Sequence, residues 1–425
     1  MKLLIISAAY PPMHIGEAMS TLYLARRLAE CQHDVHILTS TSNIGSGDPQ
    51  ITVHPIMDTW SWWEAAKVRA VVKQCAPDGI VLEYIGLIYG FHPMITFVAT
   101  ICKRLFPQVP FVSRFESAFV GADPSTTSWI SRVFRKFIVV PWAGSEGVVY
   151  GSGTLLRDSD HVIAMCERHR RMLVQEWAPV EKKLSLIPPP QYIRMSSNKD
   201  EEARRKGREL LGVMEKDFVI AFFGYLYPLK GIEYLLQAFA NVRRQRQGVK
   251  LVFIGGKVDL VAGESGNSYA NRMSQLATEL RLGGDVKWVG GFRVDDEEPS
   301  LCLRAADIGV LPFLEGIQLN NSSFSVMAAH GLPIVSTRGP VLDPQFVHGE
   351  NILLTAPSDV EGLQRYLLQL IDNPELRAHL RAGVEKLARD WFSWEATINR
   401  MLAMVGKKGQ AEILSFTDST LPSHF

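Results

Sequence analysis

The chain has 425 residues, 47% of them hydrophobic, and 45 basic against 44 acidic side chains leave a net charge of +1. That length exceeds what one hydrophobic core usually supports, so two domains are expected, and the near-neutral balance excludes a dedicated nucleic-acid binder, which needs a basic field. Five scattered cysteines (Cys31, Cys75, Cys102, Cys166, Cys302) show no metal-ligand spacing and fit reduced thiols in a cytosolic compartment. Leu3–Ser7 reads as a first buried strand rather than a secretory leader, because the apolar run is short and meets Pro11-Pro12. A proline/glycine turn at Ala8–Gly16, a helical run over Ser20–Glu30 and a strand at Asp34–Thr39 complete a βαβ opening, which predicts a parallel sheet. Strands at Gly79–Tyr84, Pro110–Ser113, Asp160–Ala164 and Leu184–Ile187 continue it, with a helix around Ile95–Leu105. No apolar run is long enough to span a bilayer.

After Pro188-Pro189-Pro190 comes the charged stretch Ser196–Glu209, whose Arg204, Arg205 and Lys206 read as a solvated helix face, and the alternation then restarts. Strands are expected at Phe218–Phe223, Lys250–Gly255, Val286–Val289, Ala306–Leu311 and Leu332–Ser336, with helices at Ile232–Gln245 and Tyr269–Arg281 and a glycine-rich surface loop at Gly263–Ser268. The expected division is 1–190, 191–405 and a loose tail 406–425, giving an α/β fold of two doubly wound units.

Two segments carry the chemistry. Phe222–Gly231 contains Gly224, Tyr225 and Lys230; Pro312–Pro333 contains Glu315, Gly316, Asn320, Asn321, Ser322 and Ser323. Each leaves an apolar strand and enters an amphipathic helix, so each offers backbone N–H groups to an anion, and one adds a lysine. Together they suggest a diphosphate. The ordinary alternatives are a solvated lysine, residues that only cap a helix and an exposed turn glutamate. In the first domain Gly16, with His14 before it, would let a ligand approach the backbone, or serve a tight turn alone. The full Gly-x-Gly-x-x-Gly fingerprint is absent there, which argues against a nicotinamide cofactor. His92, His161 and His169 have no convergent carboxylate or cysteine pattern, so no metal site is expected.

Tyr10-Pro11-Pro12, Gly16, His33-Asp34-Val35, Phe223-Gly224 through Lys230-Gly231, Ala306-Asp307, Leu311-Pro312, His330–Pro333, Gly349–Leu354 and Trp391–Trp394 occur in an order that resembles the family-4 retaining glycosyltransferases. The resemblance covers roughly Lys2 to Met404. It implies the GT-B architecture of two facing Rossmann-like domains, with the closing helix after Trp391–Trp394 returning to the first, and a nucleotide-diphosphate sugar as co-substrate, without a further cofactor. Lys230, Glu315 and Glu116 are then the candidate catalytic residues. Gly16, Gly224, Tyr225, Lys230, Gly316, Asn320, Asn321, Ser322 and Ser323 would bind the donor, and His14 and Arg114 would lie on the acceptor side. Three departures stand out. Tyr225 replaces an arginine of the family motif, Val326 falls near its second glutamate, and Phe115 occupies its histidine position. Asn320 and Asn321 stand where basic residues are frequent.

The resemblance implies a glycan or lipid-linked acceptor, with cytoplasmic residence and peripheral contact at the inner membrane face. Ser128–Trp142 fits such contact, since Trp129, Ile130, Val133, Phe134, Phe137 and Ile138 fall near one helical face and Arg132, Arg135 and Lys136 on the other; a core helix with a solvated basic face is the alternative. Trp60, Trp62 and Trp63 would extend that surface or cover an acceptor pocket. Two rival functions remain open: a non-catalytic sugar-nucleotide binder or partner protein, and a GT-B epimerase-like enzyme.

Overall fold

The computed structural model describes residues 1–13, 15–43, 48–116, 129–256, 266–292 and 296–406. His14, the loop at 263–265 and the tail beyond 406 therefore lie outside the described residues. The chain divides into two compact units: Met1–Pro188 with the helix Trp394–Val405, and Pro189–Ser393. The sequence reading set the change at 190/191.

The first unit holds β1 (Lys2–Ile6), β2 (Asp34–Ser40), β3 (Ile51–Met57), β4 (Gly79–Tyr84), β5 (Phe111–Phe115), β6 (His161–Ala164) and β7 (Leu184–Leu186), all parallel in the order β3-β2-β1-β4-β5-β6-β7. Alternation along the strands feeds two cores. Leu4, Ile6, Ile80 and Leu82 pack with Val68, Val71 and Val72 of the helix Ala65–Cys75. Leu3, Ile5 and Val81 pack with Leu24 and Leu28 of the helix Gly16–Glu30 and with Ile398, Met401 and Val405 of the last helix. Strands covered on both faces read as unbroken apolar runs, which is why β1 and β4 were legible. The helix Gly16–Glu30 begins before the expected Ser20, so Gly16 is its first residue instead of part of the preceding turn.

The second unit holds β8 (Phe218–Phe223), β9 (Val249–Ile254), β10 (Val286–Gly290), β11 (Ile308–Leu311), β12 (Ile334–Thr337) and β13 (Leu353–Thr355), parallel in the order β10-β9-β8-β11-β12-β13. The helix Ile232–Gln245 buries Ile232, Leu235, Leu236, Phe239 and Val242, a helical-period stripe in which each large side chain contributes roughly 1.5–3 kcal/mol. The helix Asp200–Leu211 corrects one expectation. Arg205 and Lys206 pair with Glu209 and Glu202 on its surface, but Arg204 reaches Asp307 Oδ1 at 2.8 Å. Buried Arg208 donates to the Asp217 carbonyl at 3.1 Å and to Asp307 Oδ2 at 3.3 Å. Asp307 Oδ2 also accepts the Val219 amide at 2.8 Å, so this carboxylate ties the helix to the sheet.

In each sheet the strand order reverses once, between β1 and β4 and between β8 and β11. Loops leaving the carboxyl ends on either side of such a point diverge and leave a crevice, where ligands bind in open α/β sheets.

Candidate functional site

In the second unit the residues after β8 and β11 meet at this reversal. Gly224 has φ 131, and a Cβ there would stand 2.5 Å from Ser323 Oγ, so only glycine lets the loop abut the helix Ser322–Ala329. Gly231 has φ 67, and a Cβ there would run into the Pro312 carbonyl. Leu314 N donates to Leu229 O at 2.9 Å. Lys230 is thereby pressed against the second loop, with Nζ 4.2 Å from the Phe313 ring centroid and 4.9 Å from that of Tyr227. Burial pushes its ammonium down to about 8. Among the described residues no carboxylate pairs with Lys230; aromatic faces are its near neighbours, a weaker substitute for an anion.

The second loop is fixed from several sides. Ile317 N donates to Thr337 O at 2.9 Å, Leu319 N to Asp343 Oδ2 at 2.9 Å, and Thr337 Oγ1 to Phe313 O. Gly316 has φ 82 and lies against the Gly339 backbone. Asn321 precedes the helix Ser322–Ala329, but its Oδ1 accepts the Gln318 amide at 2.7 Å instead of capping the helix. The amides of Phe324 and Ser325 turn back to Asn321 O, at 2.9 and 3.3 Å. Those of Ser322 and Ser323 precede that turn and point where a helix presents its uncapped N–H groups. Asn320 Oδ1 is buried without a hydrogen-bond partner among the described residues. Tyr192, unforeseen in the sequence, brings its hydroxyl within 3.5 Å of Ser322 Oγ. Glu315 is exposed; its charge, after burial, raises the Tyr227 phenol. Tyr225 is exposed.

Glycines line the neighbouring strand ends. Gly255 has φ 150, donates its amide to Gly290 O at 3.1 Å, and would bring any Cβ into the Gly224 carbonyl. The pairs Gly255-Gly256 and Gly290-Gly291, each directly after or at the end of a strand, were the available signal. His330, inside a motif the sequence singled out, is buried and neutral, and burial lowers it to about 4. Nδ1 lies 2.8 Å from Val326 O, which can only accept, so Nε2 is left to accept from Ser300 Oγ at 2.9 Å. It braces the helix rather than facing a ligand.

The first unit gathers a different set. Arg114 on β5 is buried and places Nη1 2.8 Å from Glu83 Oε2 and 3.0 Å from Glu116 Oε1. Ser20 Oγ donates to Glu116 Oε1 at 3.4 Å, and Glu116 N to Tyr84 O at 3.2 Å. Two carboxylates thus share one guanidinium. Burial raises the Glu116 carboxyl to about 7, with Arg114 opposing and the Glu83 charge reinforcing the rise. A carboxyl half-protonated near neutrality is suited to proton transfer or to binding a hydroxyl. Glu83 was missed, because it sits inside the apolar run of β4 and meets Arg114 only across the sheet. Phe115 is buried against Tyr84, ring centroids 5.1 Å apart, and is a core residue. A Cβ at Gly16 meets nothing within 4 Å, so packing does not demand glycine there.

The chain is helical from Trp129 to Ala143, with a π-wound turn at Arg135–Val139. Trp129 (74% exposed), Ile130, Phe137, Ile138 and Trp142 face solvent, as does Trp63 (85%). Arg135 does not join Arg132 and Lys136 on the surface: its Nη2 donates to Val149 O and Tyr150 O, both at 3.0 Å, and its guanidinium stands 5.0 Å from the Tyr150 ring centroid. Trp60 is a core residue edge-on to Tyr89, and Trp62 is half-buried beside Phe97 and Phe134. No helix of the described residues is long and apolar enough to cross a membrane. The sequence assigned no metal ligands; among the described residues one trio converges, His36, His54 and Cys75, toward the amino-terminal side of the first sheet.

Two doubly wound units of this kind define the GT-B glycosyltransferase fold. The solved structure of Anabaena Alr3699/HepE in complex with UDP and glucose has it, with a TM-score of 0.65 at 19% identity over 95% of this chain and 98% of that one. The family described as Glycosyl transferases group 1 matches residues 203–387. The MMP alpha-(1->4)-mannosyltransferase of Mycolicibacterium hassiacum is 30% identical over 424 residues, covering 92% of this chain and 94% of that protein. The D-inositol 3-phosphate glycosyltransferase of Segniliparus rotundus is 32% identical over 261 residues, but that match spans 60% of this chain and only about half, 53%, of the relative. The chain belongs to the group 1 glycosyltransferases.

Proposed function

We propose that this glycosyltransferase uses a nucleotide-diphosphate sugar and transfers its hexosyl group, with retention, to a hydroxyl of a glycan or lipid-linked acceptor. One observation carries the reading: a half-buried lysine without a carboxylate partner among the described residues, on a loop whose Gly224 abuts the helix that begins at Ser322. Lys230 and the Ser322 and Ser323 amides would hold the diphosphate and stabilise charge building on it as the sugar leaves. Asn320 and Glu315 would accept hydrogen bonds from ribose or sugar hydroxyls. The acceptor oxygen bonds to the anomeric carbon, the bond from that carbon to the phosphate oxygen breaks, and the hydroxyl proton passes to the leaving phosphate. Glu116 and Arg114 would orient the acceptor, so no protein base need take that proton.

No metal is assigned to the diphosphate, since Lys230 and the helix amides supply the positive field; donor affinity should be unchanged by EDTA. The exposed aromatic residues around Trp129–Trp142, with Arg132 and Lys136, support peripheral contact with an anionic membrane, which co-sedimentation with anionic and neutral vesicles tests.

The function is tested by incubating the protein with radiolabelled nucleotide sugars, including mannosyl and glucosyl donors, and a lipid-linked acceptor pool, then reading product anomer by NMR. An α-linked product from an α-linked donor fits the reading, and inversion sinks it. Donor binding without transfer to any acceptor would favour the non-catalytic reading, which the replacement at Tyr225 and the buried Phe115 support.

A further inference from the structure

The first sheet carries a second cluster of chemistry-bearing side chains, away from the carboxyl ends of its strands. His36 lies on β2, His54 on β3, and Cys75 is the last residue of the helix Ala65–Cys75. The register pairs Leu38 with His54, and His36 shares its strand face with Leu38, so both imidazoles project to the face that this helix covers. His36 Nδ1 stands 3.0 Å from His54 Nε2, with the rings stacked at an interplanar angle of 13°. One ligand atom from each of the three residues falls within 4.8 Å of the others.

The surroundings fix which nitrogen faces inward. His36 Nε2 lies 3.2 Å from Asp34 Oδ1, and a carboxylate only accepts, so Nε2 carries the hydrogen and Nδ1 accepts from His54 Nε2, whose hydrogen would shift to His54 Nδ1 when an ion takes its place. A carboxylate behind an imidazole whose other nitrogen faces a shared point is the arrangement that orients metal-bound histidines and raises their basicity. Each residue comes from a different element, and the set joins the edge strand β3 to its one neighbour among the described residues and to the covering helix.

We propose that His36 Nδ1, His54 Nε2 and Cys75 Sγ form a structural site for a borderline-soft divalent ion, zinc being the class the donors select, with Asp34 as the carboxylate behind His36 and water completing the tetrahedron. Two imidazoles and one thiolate suit Zn²⁺ or Co²⁺ rather than Mg²⁺ or Ca²⁺, which require oxygen. Bonds of about 2.0–2.1 Å to nitrogen and 2.3 Å to sulfur put tetrahedral ligand atoms roughly 3.3–3.6 Å apart. The histidine nitrogens, 3.0 Å apart, therefore open slightly, and the 4.8 Å limit on all three ligand atoms keeps Cys75 Sγ within reach of a small adjustment. The charges close as well: the dication is met by the thiolate and the Asp34 carboxylate, whose other oxygen lies 3.7 Å from Lys2 Nζ. Water has access, since the His36 side chain is partly exposed and Asp34 more so. Bound metal would pin β3, which pairs with one strand among the described residues, and so stabilise the native unit.

The test uses the full chain, freed of metal with a chelator and titrated with Co²⁺ and then Zn²⁺. The proposal expects one Co²⁺ per chain, visible d–d bands of a tetrahedral ion and a near-ultraviolet thiolate-to-cobalt band. Cys75→Ser should abolish the thiolate band, His54→Gln should abolish the tetrahedral bands, and Cys31→Ser should change neither. Zn²⁺ should raise the melting temperature of the parent protein but of neither ligand variant. Because Cys75 is buried, folding of its variant is checked by circular dichroism; half-buried His54 supplies the independent variant should that one fail. A thiolate band that survives Cys75→Ser, tetrahedral bands that survive His54→Gln, or no Zn²⁺-dependent shift in the parent protein would each overturn the proposal.

Discussion

The two units share a strand topology yet present opposite charge at the same topological place. After β8 and β11 a lysine sits on aromatic rings, paired with no carboxylate of the described residues, on a loop that abuts a helix start. After β4 and β5 two carboxylates close on one arginine, a negative surplus. The fold supplies a crevice in both; the side chains at the strand ends decide what it takes. On the proposed reading, that difference would give the diphosphate to the second unit and a neutral, hydroxyl-bearing partner to the first.

The comparison can be broken most directly at Lys230. A charge-assisted contact contributes about 1.5–3 kcal/mol, so Lys230→Ala should weaken nucleotide-diphosphate binding by roughly 10- to 150-fold. Glu116→Gln should leave that affinity unchanged, and calorimetry on both variants reads the contrast.

The negative site is sharpened through stability. An acid whose folded pKa lies near 7, above its unfolded value, holds a proton that the unfolded chain has released. Between about pH 4.5 and 7 the folded state therefore binds more protons, and stability falls as pH rises through that window. Glu116→Gln carries no such group. It should remove that loss, worth up to about 3 kcal/mol at pH 8, and approach parity near pH 4. Urea denaturation at both pH values checks it; equal effects would mean that folding leaves the Glu116 carboxyl unshifted.

Lys230 gives the opposite sign. With its ammonium lowered to about 8, the folded chain sheds this proton before the unfolded chain does. Anion affinity should therefore fall about tenfold between pH 7 and 9 in the parent protein and stay flat in Lys230→Ala. The smallest effect is expected at Gly16. A Cβ there meets nothing within 4 Å, so Gly16→Ala should leave the melting temperature unaltered, and any change should appear as a modest rise in KM.

Much of the frame could be read from residue patterns. β4 and β8 are apolar runs buried along almost their whole length, and Ile232–Gln245 carries its stripe at helical period, so burial itself wrote the signal. β3 escaped because an edge strand is half-exposed: Ile51–Met57 mixes Thr52, His54 and Pro55, and proline is tolerated at such an edge. Lys230 and the Ser322–Ser323 turn were legible because each combines a strand end, a glycine and a helix start within a short stretch. The charge balance around Glu116 was less so, since Glu83 looks like one polar interruption in a strand until β4 and β5 pair. Asn321 is expected from the sequence to bind the donor, with capping as the ordinary alternative, but its Oδ1 serves its own loop, a choice that depends on where the Gln318 amide points. Arg204 and Arg135 looked solvated because helical periodicity shows a face and not the neighbour lying across it.

The central claim is that Lys230, paired with no carboxylate of the described residues, and the Ser322–Ser323 amides make the second unit the diphosphate site. It is tested most directly by calorimetric titration of nucleoside diphosphates and nucleotide sugars into the parent protein, Lys230→Ala and Glu116→Gln at pH 7. The account predicts one nucleotide bound at a single site, with affinity lost in Lys230→Ala and retained in Glu116→Gln. Binding that survives Lys230→Ala, or that depends on Glu116 instead, would contradict it.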